Sequence, residues 1–378
     1  MSYPSDRSDA HGPYPVLVRG AADLERSVAE ALDFLEYDFK DKRVWVKPNM
    51  LSPHPPEHSV TTDPEIIRQV VRGLKARQAS AVWVADNPGG GLQRDVAAYM
   101  TPTGIVEASE GSFRSISETP VALPLTSRFV KEIHVSRILF EADVILNLPV
   151  FKTHALTILT GCIKNLFGII PGKQKSHLHT VVRSGDEFGE LLVDIFQAVP
   201  IPVLNIMDAL RGMDGQNGPS GGRVRKIGRL ITAANPVALD AVMAAMTGAD
   251  PKRIPTTRIA GERGLGPTAL DGIKVVGDFE RIPDFRLPSA RLAGSLTGIA
   301  AAVAYPFMRR WPIANRRLCT KCGQCADNCP VSAIVISDFP EIDRKKCIMC
   351  YCCAELCPEK AMTVPGPFRG VIQHLFGR

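Results

Sequence analysis

Aromatic residues make up only 6% of this 378-residue chain, and cysteine is nearly absent from its first 318 positions, where Cys162 stands alone. A disulfide framework is therefore excluded over most of the length. No apolar run reaches the roughly 18 residues that would make a confident membrane span. The opening MSYPSDRSDAHGPYPV has neither a basic start followed by an apolar stretch nor a twin arginine, so nothing marks it for export and a cytoplasmic protein is expected. The formal charge of +6 comes from scattered basic residues without a dense Lys/Arg run interleaved with aromatics, which argues against a nucleic-acid partner. Neither a Walker sequence nor a dinucleotide fingerprint occurs.

What is there is concentrated at the C-terminal end, where nine of the ten cysteines lie between Cys319 and Cys357. Cys319, Cys322, Cys325, Cys329 and Pro330 spell Cys-x2-Cys-x2-Cys-x3-Cys-Pro. Cys347, Cys350, Cys353, Cys357 and Pro358 spell it again 28 residues later, and Ala333-Ile334 maps onto Ala361-Met362 at the same offset. Such a register is an internal duplication. Three cysteines on a tight loop can wrap three corners of an iron-sulfur cubane, leaving the fourth corner to a distant thiolate. In the bacterial two-cluster pattern the fourth cysteine of each run crosses over. Two 4Fe-4S clusters are thus expected, one on Cys319, Cys322, Cys325 and Cys357, the other on Cys347, Cys350, Cys353 and Cys329. Cys352 maps onto Gln324 and is the spare. A zinc site or reactive thiols would be the alternatives, but zinc usually takes paired Cys-x2-Cys arms with a longer spacer. The run is similar to a two-cluster bacterial ferredoxin domain.

Upstream, short apolar strands alternate with amphipathic helices. RVWVKPN (43–49) reads as a strand entering a loop. In TTDPEIIRQVVRGLKAR, Asp63 is placed as N-cap and Pro64 at the first helical position, with Ile66, Ile67, Val70, Val71 and Leu74 on one face. AVWVADNPGGG, ADVILNLPVFKTH, PVLNIMDALRGMDG and LITAANPVALDAVMAAMTG continue the alternation. The fold class expected is α/β, a mainly parallel sheet with flanking helices, plus a small C-terminal α+β ferredoxin domain. Polar residues gather where the strands end: Lys47 and Asn49, Asp86 and Asn87, Asn147, Lys152 and His154, Asp208 and Asp214, and Asn235. Open α/β sheets bind ligands at that edge. Lys164, Lys173 and Lys175 follow and point to an anionic small molecule.

VWVKPNMLSPHPPEHSVTTDPEII, VADNPGG, ADVILNLPVFKTHALTILTGCIKNLFGIIPGKQKSHLH, DALRGMDGQNGPSGG and NPVALDAVMAAMTGADPKRIPTTRIAGERGLG together resemble the family called domain of unknown function 362. The resemblance covers most of residues 43–266 and implies an α/β domain with a polar pocket, with no reaction attached.

Lys152, His154, Lys164, Asp86 and Asp208 are the candidate catalytic residues: lysine to clamp an anion, histidine to move a proton near neutral pH. The loops NPGGG and NGPSGG offer unobstructed amides that suit phosphate only weakly. His177 and His179, read as sharing a face of an extended segment, are taken as ordinary polar residues. Cys162 and the helical stretch DEFGELLVDIFQAV, with Phe188, Leu191, Leu192, Ile195 and Phe196, are taken as core. Residues 1–281 form the α/β domain, 282–314 an apolar and basic linker, 315–365 the ferredoxin domain and 366–378 an amphipathic tail. LAGSLTGIAAAVAYPFM with its following RRWP, and the tail, are expected to pack on the main domain, peripheral membrane contact being the alternative. Two function classes follow. In one the clusters deliver single electrons to an anionic substrate at the strand ends. In the other the chain is an electron-transfer subunit whose α/β domain docks a partner. Structural or sensory clusters beside a non-redox α/β domain are a third. Electrons would arrive from a redox partner protein.

Overall fold

The computed structural model describes residues 14–89, 95–116, 120–289 and 309–366. Its strands run in chain order as β1 (Tyr14–Gly20), β2 (Arg43–Pro48), β3 (Ala81–Val84), β4 (Pro120–Pro124), β5 (Glu132–Ser136), β6 (Val144–Leu148), β7 (Val150–His154), β8 (Ile158–Leu159), β9 (Val203–Asp214), β10 (Arg223–Ala233) and β11 (Ile273–Gly277), followed by β12 (Ile313–Ala314), β13 (Ile334–Ile336), β14 (Pro340–Ile342) and β15 (Met362–Thr363). A nine-stranded sheet has the order β11-β1-β10-β9-β6-β2-β3, with β7 on β9 and β8 on β7. Pairings among β9, β6, β2 and β3 are parallel, as are β7 with β9 and β1 with β11, whereas β10 runs antiparallel to both its neighbours. The sheet is therefore mainly parallel, with helices on its faces.

The local chemistry explains these elements. Helix Pro64–Ala76 starts where the Asp63 carboxylate accepts the Glu65 amide, and Ile66, Ile67, Val70, Val71 and Leu74 are its buried residues. Helix Gly185–Ala198 buries Phe188, Leu191, Leu192, Ile195 and Phe196 against the opposite face. Helix Pro236–Met246 is capped by Asn235, which accepts from Val237 and Ala238, and ends before Gly248 at φ 79°. Cys162 is fully buried, as expected of a core residue.

Two segments differ from the sequence reading. Lys152, Thr153 and His154 do not follow a strand; they are in β7. Pro149 lacks an N–H and breaks the ladder after β6, so the chain restarts and pairs further along β9, where Val150 stands opposite Asp208. His177 lies in a short helix, Gln174–Leu178, with His179 as its C-cap, so the extended reading was wrong there, and His177 is exposed whereas His179 is buried.

In the C-terminal unit β12 pairs with β15 and β13 with β14. The duplication is visible in the backbone: positive φ recurs at Lys321 and Met349, Gly323 and Tyr351, and Ser332 and Lys360, each pair 28 residues apart. Residues 292–308, 367–378 and Gly90-Gly91 of the glycine-rich loop lie outside the described residues. Among the described residues no helix is long and apolar enough to cross a membrane.

Candidate functional site

The polar edge of the sheet is buried. Lys47, at the end of β2, is fully inaccessible and its Nζ sits 2.8 Å from Asp86 Oδ1, while Asp86 Oδ2 accepts the Met50 amide at 2.8 Å. Burial pulls the Lys47 pKa below its ordinary value, against the pull of Asp86. Gly168 closes over this pair, since a Cβ there would collide with Asp86 Oδ1 and lie 2.7 Å from Lys47 Nζ. Lys152 Nζ donates to Asn49 Oδ1 at 2.7 Å and to Val60 O at 2.6 Å, and burial, with Lys164 nearby, lowers it to about 7. A relay of amides ties the strand ends together: Asn49 donates to Asn165, Asn165 to Asn147, and Asn147 to Asn205. Asn205 reaches the carbonyls of Ala233 and Ala234.

Asp208 stands beside this network with different work. Its oxygens accept the Asp63 and Leu210 amides, at 2.8 and 3.0 Å, and burial raises it to about 7. Asp214 is the last residue of β9, where Arg223 and Arg225 pair with its carboxylate. Lys175, half-buried near Asp86, donates to Asn87 O and Pro88 O, and desolvation lowers it to about 7. Four of the five candidate residues, Asp86, Lys152, His154 and Lys164, are thus brought to one strand-end region with Lys47 and Lys175; Asp208 borders it.

His154 is fully buried. Its Nδ1 accepts the Leu156 and Thr157 amides, both at 3.2 Å, so the ring proton is on Nε2. Burial lowers its pKa to about 4, and two amide donors facing Nδ1 oppose a second proton independently. Nε2 lies 2.9 Å from Glu355 Oε1, yet neither atom has a well-aligned hydrogen bond. Burial works to raise Glu355, but His154 and Lys164 overcome it and hold the carboxyl at about 2. Glu355 belongs to the cysteine-rich unit, on the helical turn Cys352–Glu355. Sequence reasoning did not single out Glu355, and it took His179 for an ordinary polar residue. Glu355 lies between two motif cysteines whose spacing fully accounts for the segment, and nothing local announces that it crosses to another domain.

That crossing is part of a broad seat. Ser220 Oγ donates to Ala354 O, Val364 N to Asn217 Oδ1, and His54 Nε2 to Pro358 O. The NGPSGG turn between β9 and β10 thus meets the cysteine-rich unit, and so does Gly89, where a Cβ would strike Leu356. Tyr351 packs with Ala155 and Val364.

Within the unit, Cys319, Cys322, Cys325 and Cys357 line one hollow. Cys347 has Cys350 and Cys329 as its electrostatic neighbours, and Cys353 adjoins the same set. The fourth cysteine of each run receives an equivalent bond, Ala333 N to Cys329 Sγ and Ala361 N to Cys357 Sγ, both 3.2 Å. Soft thiols gathered in this way, with amide donors aimed at sulfur, fit a 4Fe-4S cubane.

The sequence model described as domain of unknown function (DUF362) matches residues 44–245. The chain belongs to this family. A 4Fe-4S binding domain model matches residues 312–335, so the family's region is joined here to a ferredoxin-type domain that holds at least one 4Fe-4S cluster. A thylakoid-associated protein of Synechocystis sp. is 32% identical over 238 residues, 61% of this chain and 70% of that protein. Among solved structures, a Thermotoga maritima protein aligns at TM-score 0.39 and 13% identity over 63% of this chain. The lactate racemase apoprotein from Thermoanaerobacterium thermosaccharolyticum aligns at 0.40 and 15% over 65%. The chain spans 59% of the length of each of these two structures.

Proposed function

We propose that the protein is an iron-sulfur oxidoreductase that reduces an anionic small molecule at the strand ends of its α/β domain. The observation that carries this reading is the 2.9 Å approach of Glu355, from the cysteine-rich unit, to His154 at the end of β7. It brings the cysteine repeat and the buried lysines into one site.

Two 4Fe-4S clusters are part of the proposal, on Cys319, Cys322, Cys325 and Cys357, and on Cys347, Cys350, Cys353 and Cys329. Bound there, they supply electrons one at a time, and two such deliveries suit a carbonyl or a polarised double bond. The chain's own groups do the rest. Lys164 and Lys152 offset negative charge on the ligand, His154 carries its proton on Nε2 facing the site, and the seated unit excludes water. With no dinucleotide motif in the chain, a one-electron donor protein is the source of reducing equivalents. The protein is placed in the cytoplasm; the thylakoid association of the relative makes contact with a membrane surface the competing placement, which cell fractionation separates.

The reading is tested on anaerobically reduced protein. A small-molecule extract should reoxidise the cluster absorbance of the wild type but not of a Lys152→Met/His154→Gln variant with full iron content. Reoxidation by a protein fraction alone would instead make the chain an electron-transfer subunit and its larger domain a docking surface.

A further inference from the structure

Three cationic or proton-bearing side chains converge on the ring of Phe188 from three elements. The Lys164 nitrogen, from helix Cys162–Asn165, lies 5.8 Å from the ring centre; the His154 ring is 6.4 Å away and the His179 ring 4.5 Å. Each of the two histidines keeps a buried ring nitrogen without a hydrogen-bond partner. His154 Nε2 and His179 Nδ1 are buried without a hydrogen bond, in residues 0% and 7% exposed. Lys164, unlike Lys47, Lys152 and Lys175, has no hydrogen bond or ion pair among the described residues. Buried ring nitrogens left open in this way are costly unless something fills the space beside them, and half-buried Lys164 adds a charge with no partner of its own.

What stands there is the Glu355 carboxylate, 2.9 Å from His154 Nε2 and within electrostatic reach of Lys164 and His179, with its own Oε1 unsatisfied. It fits in charge and not in alignment. It is also an intruder, since 28 residues earlier the duplicated unit carries Asp327 at the equivalent position, exposed to solvent.

We propose that the pocket formed by Lys164, His154 and His179 over Phe188 is a binding site for the carboxylate group of a small-molecule ligand, and that Glu355 stands in for that carboxylate while the cysteine-rich unit is seated. This rests on the reading that the substrate binds at the strand ends, and it names the substrate class as organic carboxylates. Entry of the ligand requires Glu355 to withdraw, so binding and the seating of the redox unit are linked. Lys164 supplies charge, and the two ring nitrogens supply direction.

The test is chemical rescue at equilibrium, on the full-length holoprotein. Glu355→Ala should lower the thermal midpoint, and acetate should restore most of the loss in a saturable way at millimolar concentrations, while chloride at matched ionic strength does not. Wild type should show no acetate-specific shift. Adding Lys164→Met to Glu355→Ala should abolish the rescue. Equal effects of acetate and chloride, rescue that survives Lys164→Met, or inorganic phosphate rescuing better than acetate would each overturn the assignment. Should the alanine variant not yield folded holoprotein, Glu355→Gln is titrated the same way. Acetate must then compete with the amide, and the half-effect concentration should rise about tenfold, as for a competitor worth about 1.4 kcal/mol; no acetate-specific shift would again overturn the proposal. The assay needs no turnover. Failed rescue therefore strikes this site alone, whereas rescue in a protein that reduces nothing strikes the oxidoreductase reading and leaves the site standing.

Discussion

Asp86→Asn removes the charge that faces Lys47 in a place water does not reach. Removing one partner of a buried ion pair typically costs about 3–5 kcal/mol, because the other charge is left uncompensated. Here the cost has a ceiling, because Lys47 can escape by giving up its proton. Relative to an unfolded lysine near 10.4, that escape costs about 1.4 kcal/mol per pH unit, hence about 5 kcal/mol at pH 7 and about 2 kcal/mol at pH 9. The sign follows from linkage. In the variant the folded state binds fewer protons than the unfolded one, so its stability rises with pH toward that of the wild type. Denaturant unfolding followed by far-UV circular dichroism, at pH 7, 8 and 9, should show the gap between wild type and variant narrowing by roughly 1.4 kcal/mol per unit. Lys47→Met/Asp86→Leu should recover much of the loss, since an apolar pair of similar volume often replaces a buried ion pair without penalty. A gap independent of pH would refute the argument, because it would mean that Lys47 has the same charge state in the wild type and the variant.

Gly168→Ala should destabilise by about 1–3 kcal/mol, the usual range for forced overpacking, read as a lower unfolding midpoint, and the same change should cost less when made in an Asp86→Ala background. Asp208, raised to about 7 by burial, should make stability fall as pH rises from about 4 through 7, by about 4 kcal/mol in all, and Asp208→Asn should flatten that slope in unfolding measured across the same range. Cys353→Ala should halve the iron and acid-labile sulfide bound per chain, whereas Cys352→Ala should leave both unchanged; equal losses would break the assignment of Cys352 as the spare.

How far the sequence reached depends on whether the cause of a feature is local. Helix Pro64–Ala76 was legible because its cap, its first-turn proline and its five-residue apolar face are all written within the segment. The clustering of Asp86, Lys152, His154 and Lys164 was legible too, since polar residues following apolar strands in an α/β chain must meet at one edge. The conformation of Lys152–His154 was not, because the restart of the ladder after Pro149 depends on β9 extending far enough to accept a second partner. His179 escaped for a similar reason. Its importance comes from where the Gln174–Leu178 turn ends relative to Phe188, a distance that no periodicity encodes. Asn205 reads as one polar residue in an apolar strand, and only the register between β6 and β9 shows it completing the amide relay from Asn49.

The two halves of the duplication are most informative where they differ. Position 323 is glycine at φ 81°, a conformation that costs glycine nothing. The equivalent residue of the second half is Tyr351, at φ 62°, where a side chain pays about 1–2 kcal/mol. The next position changes from Gln324 to Cys352, which is buried, and three further on the exposed Asp327 becomes Glu355. All three substitutions fall on the surface that meets the α/β domain. Tyr351 packs against Ala155 and donates its hydroxyl to Arg310 O, Cys352 stands within electrostatic reach of Lys164, and Glu355 reaches His154. Chelation explains none of them, because the first half wraps its hollow without them. Docking explains all three, as a strained tyrosine is retained only where packing around it over-determines the backbone. Cys352 accordingly lies at this seat, beside Lys164 as well as Cys350, and it is the second half of the repeat that reaches the α/β domain through Glu355.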